Sequence, residues 1–465
     1  MSELNDRNSR LTLFLDNPQK ALWTLAIPIM LGMGIHTLYN IVDMMFIGRL
    51  GGNAIAGVAF NMPVFFLVLG LTMGLGSGVT ASIARFIGKN NKRNADNSAE
   101  HALAMAAVIA TIFTISGLLF GHKVLIILGA ENEILSLAWD YLHIIILGLP
   151  FMIFSGFFRS ILAGEGDMKF PMLVAGLGTI LNIILDPIFI FDLNNYGGFG
   201  LGLGVKGAAM ATIISQCVVF VIFIFMLFVK KHAYITFRLK DFSPSKVILW
   251  DIVKVGLPAS MSMIIMAVGQ GVFNKILIHY SPQTVAAYQV AGRLDMLILL
   301  PIFAIAGGLT TLVGMFYGAS RIDALNQIVK YGISRVFIIT IVSSIFVYYF
   351  AEIFSSMFTK DQEIIDVAVG YLRLMCLMYP FVAIAISSGR IMQGLGKGIP
   401  VLVITTIRVL VVSAALATYF KFVLDKPVVW IWYAMMISTA VAFTIAVSWV
   451  RVELNALNRI YKDIR

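Results

Sequence analysis

Two carboxylates, Asp43 and Asp186, stand inside long apolar stretches of the sequence. An ionised carboxylate in hydrocarbon costs at least about 2.5 kcal/mol, so acids in such stretches are rare and point to functional sites. Burial and a neighbouring like charge both favour the protonated form of a carboxylate, so this pair could load and release a proton. Oxygen ligands of this kind also suit a hard cation such as Na⁺. The residue types therefore predict an ion site, for a proton or for Na⁺.

Other polar residues accompany each carboxylate at helical spacing. On a helix, residues three and four apart share a face. Three polar residues precede Asp43 at such intervals: His36, Tyr39 and Asn40. Asn182 lies one turn before Asp186. Both sets predict a polar stripe on an otherwise apolar helix, although for the asparagines a hydrogen bond between neighbouring helices is the structural alternative.

The composition indicates a membrane protein. Apolar residues make up 59% and charged residues 12% of the 465 residues, whereas about 25% of the residues of a soluble protein are charged. The net charge of +10 does not indicate nucleic-acid binding, because the basic residues form no continuous stripe with interleaved aromatic residues. Cys217 and Cys376 lie inside apolar runs, where neither a disulfide framework nor a metal site is expected. We expect an integral membrane protein that binds no nucleic acid and needs no cofactor.

Twelve apolar runs are bounded by Gly, Pro or charged residues. Each is long enough for a spanning helix of about 20 residues, and only helices and closed barrels satisfy the backbone in lipid. The runs cover approximately residues 21–46, 54–80, 100–120, 137–158, 171–191, 207–229, 248–279, 285–315, 331–350, 365–389, 399–420 and 427–450. The sequence therefore predicts an all-α membrane protein with twelve transmembrane helices.

The longest polar connection, residues 230–247, divides the runs into two sets of six. Its basic residues are Lys230, Lys231, Arg238, Lys240 and Lys246. Lys and Arg are concentrated in this linker, in both termini and in the connections after the other even-numbered runs, and the positive-inside rule places such segments in the cytoplasm. We predict an N-terminal lobe at 1–229, a cytoplasmic linker at 230–247 and a C-terminal lobe at 248–465. Both termini would be cytoplasmic.

The two sets of runs are copies of one unit. One constant shift in residue number, which we call the repeat shift, superimposes identical residues: Pro28 on Pro258, Thr80 on Thr310, Gly88 on Gly318, Tyr141 on Tyr371, Pro150 on Pro380, Gly164 on Gly394 and Gly166 on Gly396. One register held without a gap predicts two pseudo-symmetric six-helix bundles. Because each unit has an even number of helices, both copies enter the membrane in the same direction. This plan is typical of transporters that alternate access by rocking two bundles around a central substrate site.

The carboxylates break this symmetry. The repeat shift places each polar residue of the predicted ion site on an apolar one: Asp43 on Phe273, Asn182 on Val412 and Asp186 on Leu416. A polar stripe with a purely structural role would be expected in both copies. The asymmetry therefore locates the predicted ion site in the first bundle.

Other charged residues in the runs have structural explanations. Lys275 lies near a helix end and is expected to extend its ammonium group to the membrane surface. Three arginines fall at cytoplasmic helix ends, where topology explains them: Arg85, Arg159 and Arg390. Internal pairing or packing competes with function for three more residues: Arg293, Asp295 and Arg408. The sequence leaves the roles of this last group open.

Several segments, taken together and in order, resemble the multidrug and toxic compound extrusion (MATE) family. They are NPQKALWTLAIP, YNIVDMMFIGRLGG, GVTASIARFIG, ILAGEGDMKFPM and LNIILDPIFIF in the first half, with AAYQVAGRL and GRIMQGLGKG in the second. The resemblance covers nearly the whole chain and implies twelve helices in two lobes that extrude amphipathic, often cationic, organic compounds against an inward proton or sodium gradient. The chain is similar to the prokaryotic DinF-like branch, whose acids are in the N-terminal lobe, since none lies between Asp251 and Asp295.

The resemblance also assigns residues. The positions that match the ion-coupling set of the family are Asp43, Asn182, Asp186 and Thr212. To these the polar stripe adds Tyr39 and Asn40 as members of a proton relay, and the same three residues, Asp43, Asn182 and Asp186, are candidate ligands for Na⁺. Pro28 resembles the proline at which the first helix of this branch bends, so Pro28 and His36 are candidates for gating or substrate binding. Pro258 at the matched position makes a structural kink the alternative for Pro28.

We therefore expect a secondary active antiporter that exports amphipathic, cationic organic compounds in exchange for protons or Na⁺ by alternating access. It would act as a monomer in the prokaryotic inner membrane, with small organic molecules and membrane lipids as its partners. A lipid-linked oligosaccharide flippase of the wider superfamily is the alternative, and it should line its cavity with several basic residues, which the sequence does not indicate. A membrane enzyme would need a nucleophile with a base, a DDxxD pair or an HExxH run, and none appears.

Overall fold

The computed structural model describes residues 9–192, 200–237 and 242–462, and the regular structure within these ranges is helical throughout. Eleven of the described helices are long and apolar enough to cross a membrane, and a bent pair makes a twelfth span. We label the spans α1 (Pro18–Gly48), α2 (Gly52–Gly88), α3 (Lys92–Ile127), α4 (Asn132–Gly164), α5 (Lys169–Ile190), α6 (Val205–Val229), α7 (Lys246–Leu277), α8 (Pro282–Gly318), α9 (Ile322–Ser356), α10 (Gln362–Cys376 with Tyr379–Gly394), α11 (Ile399–Val423) and α12 (Val429–Lys462). A short helix, Ser9–Asp16, precedes α1.

The twelve predicted spans are confirmed, and most helices extend beyond the apolar runs. Polar side chains explain where several of them begin. Four residues each accept a hydrogen bond from the backbone N–H three residues later, which satisfies a free donor at the helix start: Asn17, Asn91, Ser245 and Ser281. The difference from the prediction is α10, which was expected as one helix at 365–389 and consists of two helices bent by 59°.

The internal repeat is reproduced at the level of single hydrogen bonds. Thr80 Oγ1 donates to the carbonyl oxygen of Ser160 at 2.8 Å. At the matched place in the second lobe, Thr310 Oγ1 donates to the carbonyl oxygen of Arg390 at 3.2 Å. Donor and acceptor are both displaced by the repeat shift, so the two lobes share their internal helix packing as well as their helix order.

The N-terminal half of the first helix of each lobe packs against the other lobe. Four residues of α1 are buried in one apolar cluster with α8 and α9 of the second lobe: Ala21, Leu22, Leu25 and Ala26. Reciprocally, Ile248 and Ile252 at the start of α7 belong to the core of the first lobe. The later part of α1 returns to the first lobe and packs against α5. Each of these two helices therefore crosses the boundary between the lobes.

Glycines let the two lobes meet closely at one end of the helices. A Cβ added to Gly88 would lie 2.1 Å from the carbonyl oxygen of Met315, and one added to Gly318 would lie 2.2 Å from that of Arg85. These distances leave room for a hydrogen atom only, so the final turns of α2 and α8 touch backbone to backbone. The repeat shift relates the two contacts to each other. We call this end of the molecule, where α2 and α8 end, the sealed end.

An ion pair strengthens the sealed end on one side of the pseudo-symmetry axis. The buried Arg85 of α2 donates from Nη2 to Oδ2 of Asp251 in α7 at 2.6 Å. Asp251 also contacts Ser82 at 2.9 Å and Lys254 at 2.7 Å. The residue matched to Arg85 in α8 is the buried Met315. Membrane topology was the predicted explanation for Arg85, and the structure gives this residue a further role as a bridge between the lobes.

The first described stretch of the linker, residues 230–237, lies against the first lobe. Lys92 Nζ donates to the carbonyl oxygen of Tyr234 at 2.7 Å. Asp96 Oδ2 accepts a hydrogen bond from Oγ1 of Thr236 at 2.6 Å. Two of the basic residues of the predicted linker lie outside the described residues: Arg238 and Lys240. These contacts attach the linker to the first lobe at least as far as residue 236.

Candidate functional site

Two neighbouring helices bring the predicted carboxylates together. Because α1 packs against α5 in the half away from the sealed end, the side chains of Asp43 and Asp186 lie within hydrogen-bonding reach of each other. Both residues are buried, with exposed fractions of 9% for Asp43 and 0% for Asp186. Two ionised carboxylates so close in a buried place repel each other. A proton or a cation between them would remove that repulsion.

Three further polar residues complete a hydrogen-bonded cluster around the pair. Asn182, one turn before Asp186 on α5, donates from Nδ2 to Asp186 Oδ1 at 3.3 Å. The same Nδ2 lies 3.5 Å from Oγ1 of Thr212 on α6. The hydroxyl groups of Tyr39 on α1 and Thr212 are 3.3 Å apart. Residues from three helices thus meet in what we call the ion cluster: Tyr39, Asp43, Asn182, Asp186 and Thr212.

Three buried oxygen atoms of the ion cluster have no hydrogen-bond partner within the described part of the chain: Asp43 Oδ1, Asn182 Oδ1 and Asp186 Oδ2. A buried acceptor left without a partner costs about 1–3 kcal/mol, so each such group calls for an explanation. All three atoms are carboxylate or amide oxygens, which accept protons or bind hard cations. The arrangement therefore provides a binding place for either ion.

Tyr141 of α4 belongs to the same region and was not predicted. Its buried side chain lies near Thr212, Asp43 and Asp186. In the sequence, Tyr141 was only one of the residues shared by the two copies, so it lacked the asymmetry that marked the acids. A weaker signal was present, because a tyrosine inside an apolar run must place its hydroxyl group in a polar environment.

His36 and Asn40 lie outside the ion cluster. Asn40 Nδ2 is 3.0 Å from His36 Nδ1 and donates to the carbonyl oxygen of His36 at 2.8 Å, and both residues are exposed. Helical spacing predicted that they share one face with Tyr39 and Asp43. The structure separates the four into two adjacent rows, because each pair is four residues apart. Only the row of Tyr39 and Asp43 turns into the first lobe.

Pro28 lies about a third of the way along α1, which continues across it as one helix. The next residue, Ile29, lies at the boundary with α8, since a Cβ added to Gly307 would be 3.3 Å from its Cδ1. A proline inside a helix removes one backbone hydrogen bond. Helix α1 is therefore weakened where it passes from its contact with the second lobe to its contact with the first.

The matched positions of the second lobe are apolar. Phe273 is buried in the core of that lobe, and Leu416 packs against the same core. Val412 lies in a π-helical segment of α11, Ile407–Ala414. Each of the three polar residues Asp43, Asn182 and Asp186 is thus replaced by a side chain that can bind neither a proton nor a cation.

The family model described as MatE matches residues 28–188 and 258–418 of this chain, which together are more than half of it. The repeat shift found in the sequence relates both the starts and the ends of the two matched segments. The match therefore confirms the internal repeat. The first segment contains Asp43, Asn182 and Asp186.

Similar proteins share most of the length of the chain. The probable multidrug resistance protein NorM of Thermotoga maritima is 29% identical over 414 residues, covering 87% of this chain and 86% of that protein. A solved structure of a MOP superfamily transporter from Pyrococcus furiosus, described by the reverse polarity of its binding pocket, superimposes with a TM-score of 0.90 at 33% identity, over 96% of this chain and 98% of that one. The outward-facing structure of a multidrug resistance MATE family transporter gives the same values.

Proposed function

This chain belongs to the MatE family of membrane transporters, and we propose that it is a secondary active antiporter that exports amphipathic, cationic organic compounds. A relative that spans most of its length is named a multidrug resistance protein, which supports an organic efflux substrate over the lipid-linked oligosaccharide of the alternative hypothesis. The acids of the first lobe favour the DinF-like branch of the family. Small organic molecules and membrane lipids would then be its partners.

The coupling ion binds in the ion cluster of the first lobe. The observation that carries this proposal is the contact between Asp43 and Asp186, together with a buried, unpartnered oxygen on each of them. A proton is the preferred ion, because two adjacent carboxylates can share one without any other ligand. Na⁺ is the competing ion, with Asp43, Asn182 and Asp186 as its oxygen ligands. Binding of the ion would drive release of the substrate on the outer side.

The way the lobes meet supports alternating access. The close contacts between them run from the middle of α2 to the sealed end, as at Gly74 and Gly88, whereas His36 and Asn40 are exposed in the half of α1 away from that end. Polar side chains at this depth are not stable against lipid and favour a water-filled cavity between the lobes. We place the substrate in that cavity, with His36 as a candidate contact.

The sealed end would face the cytoplasm. The connection between α2 and α3 at that end contains Lys89, and the first turn of α3 contains Lys92 and Arg93. Basic residues at the ends of spans remain on the cytoplasmic side of the membrane. Both termini and the linker at 230–247 would then be cytoplasmic, in the inner membrane of a prokaryotic cell. The lobes at 1–229 and 248–465 each contain a complete six-helix unit, so a monomer suffices for transport.

Reconstitution of the purified protein tests the proposal. Liposomes loaded with a fluorescent organic cation such as ethidium would be exposed to an imposed proton gradient, to a Na⁺ gradient, or to neither. We expect efflux that requires the proton gradient and movement of protons in the opposite direction. Efflux driven by Na⁺ alone would replace the ion and keep the mechanism. No gradient-driven efflux under any condition, from correctly folded protein, would rule out the antiport function.

A further inference from the structure

The bend in α10 has no counterpart in the first lobe. Pro150 of α4 and Pro380 of α10 are matched by the repeat. Helix α4 nevertheless runs unbroken through its proline, whereas α10 is bent by 59° between Cys376 and Tyr379. The proline alone therefore does not produce the bend. Some feature of the second lobe must hold the two parts of α10 at this angle.

Asp295 of α8 connects the two parts. Tyr371, in the first part of α10, donates to Asp295 Oδ2 at 2.8 Å, and Tyr379, the first residue of the second part, donates to Asp295 Oδ1. Each carboxylate oxygen thus accepts one phenol hydrogen bond from one side of the bend. Hydrogen bonds to an ionised acceptor are about twice as strong as neutral ones. One carboxylate therefore ties both sides together.

The matched residues of the first lobe contain no such connection. Asp295, Tyr371 and Tyr379 correspond to Phe65, Tyr141 and Leu149. The rings of Phe65 and Tyr141 make an aromatic contact, with their centroids 6.3 Å apart. The carboxylate and the second phenol are thus found in the copy whose helix is bent and are replaced by apolar residues in the copy whose helix is continuous.

Backbone hydrogen bonds do little to fix the angle at the bend. The N–H of Leu377 donates to the carbonyl oxygen of Leu374 at 3.2 Å, and that of Met378 to the carbonyl oxygen of Met375 at 2.8 Å. These are contacts between residues three apart, with poorer geometry than the regular α-helical bond. Side-chain contacts across the bend must therefore define its angle.

The second part of α10 leads directly to the sealed end. It ends at Gly394, whose carbonyl oxygen accepts a hydrogen bond from Nη1 of Arg85 at 3.3 Å. Just beyond it, a Cβ added to Gly396 would lie 3.1 Å from the guanidinium carbon of Arg85. Arg85 is also the residue that pairs with Asp251 across the lobes. The direction of this part of α10 therefore determines how Arg85 is seated.

We propose that Asp295 is the positioning residue of a hinge in α10: by binding Tyr371 and Tyr379 it fixes the bend that seats Arg85 and keeps the sealed end closed. Loss of these hydrogen bonds frees the second part of α10 to straighten, as the matched helix α4 does, and withdraws Gly394 from Arg85. The proposal rests on the alternating-access part of the proposed function. It is independent of the ion that drives transport.

The test measures closure of the sealed end directly. In a background with Cys217 and Cys376 replaced by alanine, spin labels on cysteines in place of the exposed Lys89 and Arg321 report the distance between the two lobes. Double electron–electron resonance in lipid nanodiscs, without substrate or gradient, gives the distance distribution. We expect Asp295→Asn, and the double variant Y371F/Y379F, to raise the ratio of long to short distances by about tenfold or more, because both hydrogen bonds to the charged group are weakened or lost.

Single variants and a matched control keep the test decisive. Y371F and Y379F alone each remove one hydrogen bond and should shift the distribution by a smaller factor. Y288F removes a hydroxyl from a ring beside Tyr371 and leaves both contacts of Asp295 in place, so it should change nothing. An unchanged distribution in Asp295→Asn and in the double variant, or an equal shift in Y288F, would overturn the hinge. If Asp295→Asn does not fold, the two single variants decide.

The distance measurement can support or exclude the hinge whether or not the proposed antiport function is correct. The distance measurement needs neither substrate nor ion gradient, so a wild-type protein without efflux can still show the expected shift. Conversely, gradient-driven efflux by the wild type together with an unchanged distance distribution in all Asp295 and tyrosine variants would remove the hinge and leave the antiporter.

Discussion

Carboxylates in the two lobes differ in whether each of their oxygen atoms accepts a hydrogen bond. Asp295 accepts a hydrogen bond on each oxygen, whereas Asp43 and Asp186 each keep one buried oxygen without a partner. Two phenol hydrogen bonds from different parts of α10 hold the Asp295 carboxylate in place. A pair with free acceptors is ready to take up a proton or a cation. At the scale of single residues, this contrast supports the proposed ion coupling in the first lobe and the proposed positioning role of Asp295.

Removal of either acid of the ion cluster should uncouple transport. We expect Asp43→Asn and Asp186→Asn each to lower gradient-driven efflux by about tenfold or more, because a loss of only about 1.4 kcal/mol of coupling free energy is already tenfold. Efflux from liposomes under an imposed proton gradient provides the measurement. Asp425→Asn, which removes an exposed acid paired with Lys421, is the matched control and should transport normally. Full activity in both cluster variants would show that the ion binds elsewhere.

We expect the hydroxyl group of Thr212 to contribute to binding of the coupling ion. Thr212→Val keeps the shape of the side chain and removes the oxygen that Asn182 and Tyr39 contact. A neutral hydrogen bond contributes about 0.5–1.5 kcal/mol, so we expect the concentration of coupling ion at half-maximal efflux to change by about threefold to tenfold. Thr212→Ser retains the hydroxyl and should behave as the wild type. Equal ion dependence in the valine and serine variants would exclude Thr212 from the ion cluster.

At the scale of helices, the sequence predicted the features that are set by the thickness of the membrane. The hydrocarbon thickness fixes the length of an apolar span, so the number of spans and their approximate positions followed from the runs. The bend in α10 did not, because it depends on Asp295 and Tyr379, which are 84 residues apart in the chain. The sequence singled out Asp295 as a charge inside a run, but its partners become visible only once α8 and α10 are packed together.

The ends of α2 and α8 should not tolerate an added methyl group. We expect Gly88→Ala and Gly318→Ala each to destabilise the closed sealed end by about 1–3 kcal/mol, as overpacking does elsewhere, because the new Cβ would overlap a backbone carbonyl oxygen of the other lobe. Both variants should increase the fraction of molecules with an open sealed end, as measured by the distance between labels at positions 89 and 321. Gly271→Ala and Gly292→Ala, where nothing lies within 4 Å, are the matched controls. A closed sealed end in both Gly88→Ala and Gly318→Ala would contradict this account.

The whole molecule combines a symmetric scaffold with local asymmetry. The repeat was readable from the sequence because identical residues recur at one shift, and the same comparison exposed the loss of Asp43, Asn182 and Asp186 in the second copy. Two further asymmetries were not recognised: the ion pair between Arg85 and Asp251, and the hinge at Asp295. Both the ion pair and the hinge require a partner residue on another helix. A comparison of single matched positions shows that a residue differs between the copies, but it does not show which residue it contacts. The exchange of α1 and α7 between the lobes was hidden for the same reason.

Accessibility from the two sides of the membrane tests this arrangement as a whole. In a protein without Cys217 and Cys376, we expect a cysteine at the exposed residue His36 to react with a membrane-impermeant maleimide added outside intact cells, because the proposed substrate cavity would open to that side. A cysteine in place of the exposed Lys360, in the connection between α9 and α10, should react from the same side and serves as the surface control. A cysteine in place of Lys89 at the sealed end should react only in inverted vesicles, since basic connections are cytoplasmic. Labelling of position 36 from the inside only would mean that the cavity opens at the other face, whereas labelling of position 89 from the outside would reverse the orientation of the entire protein.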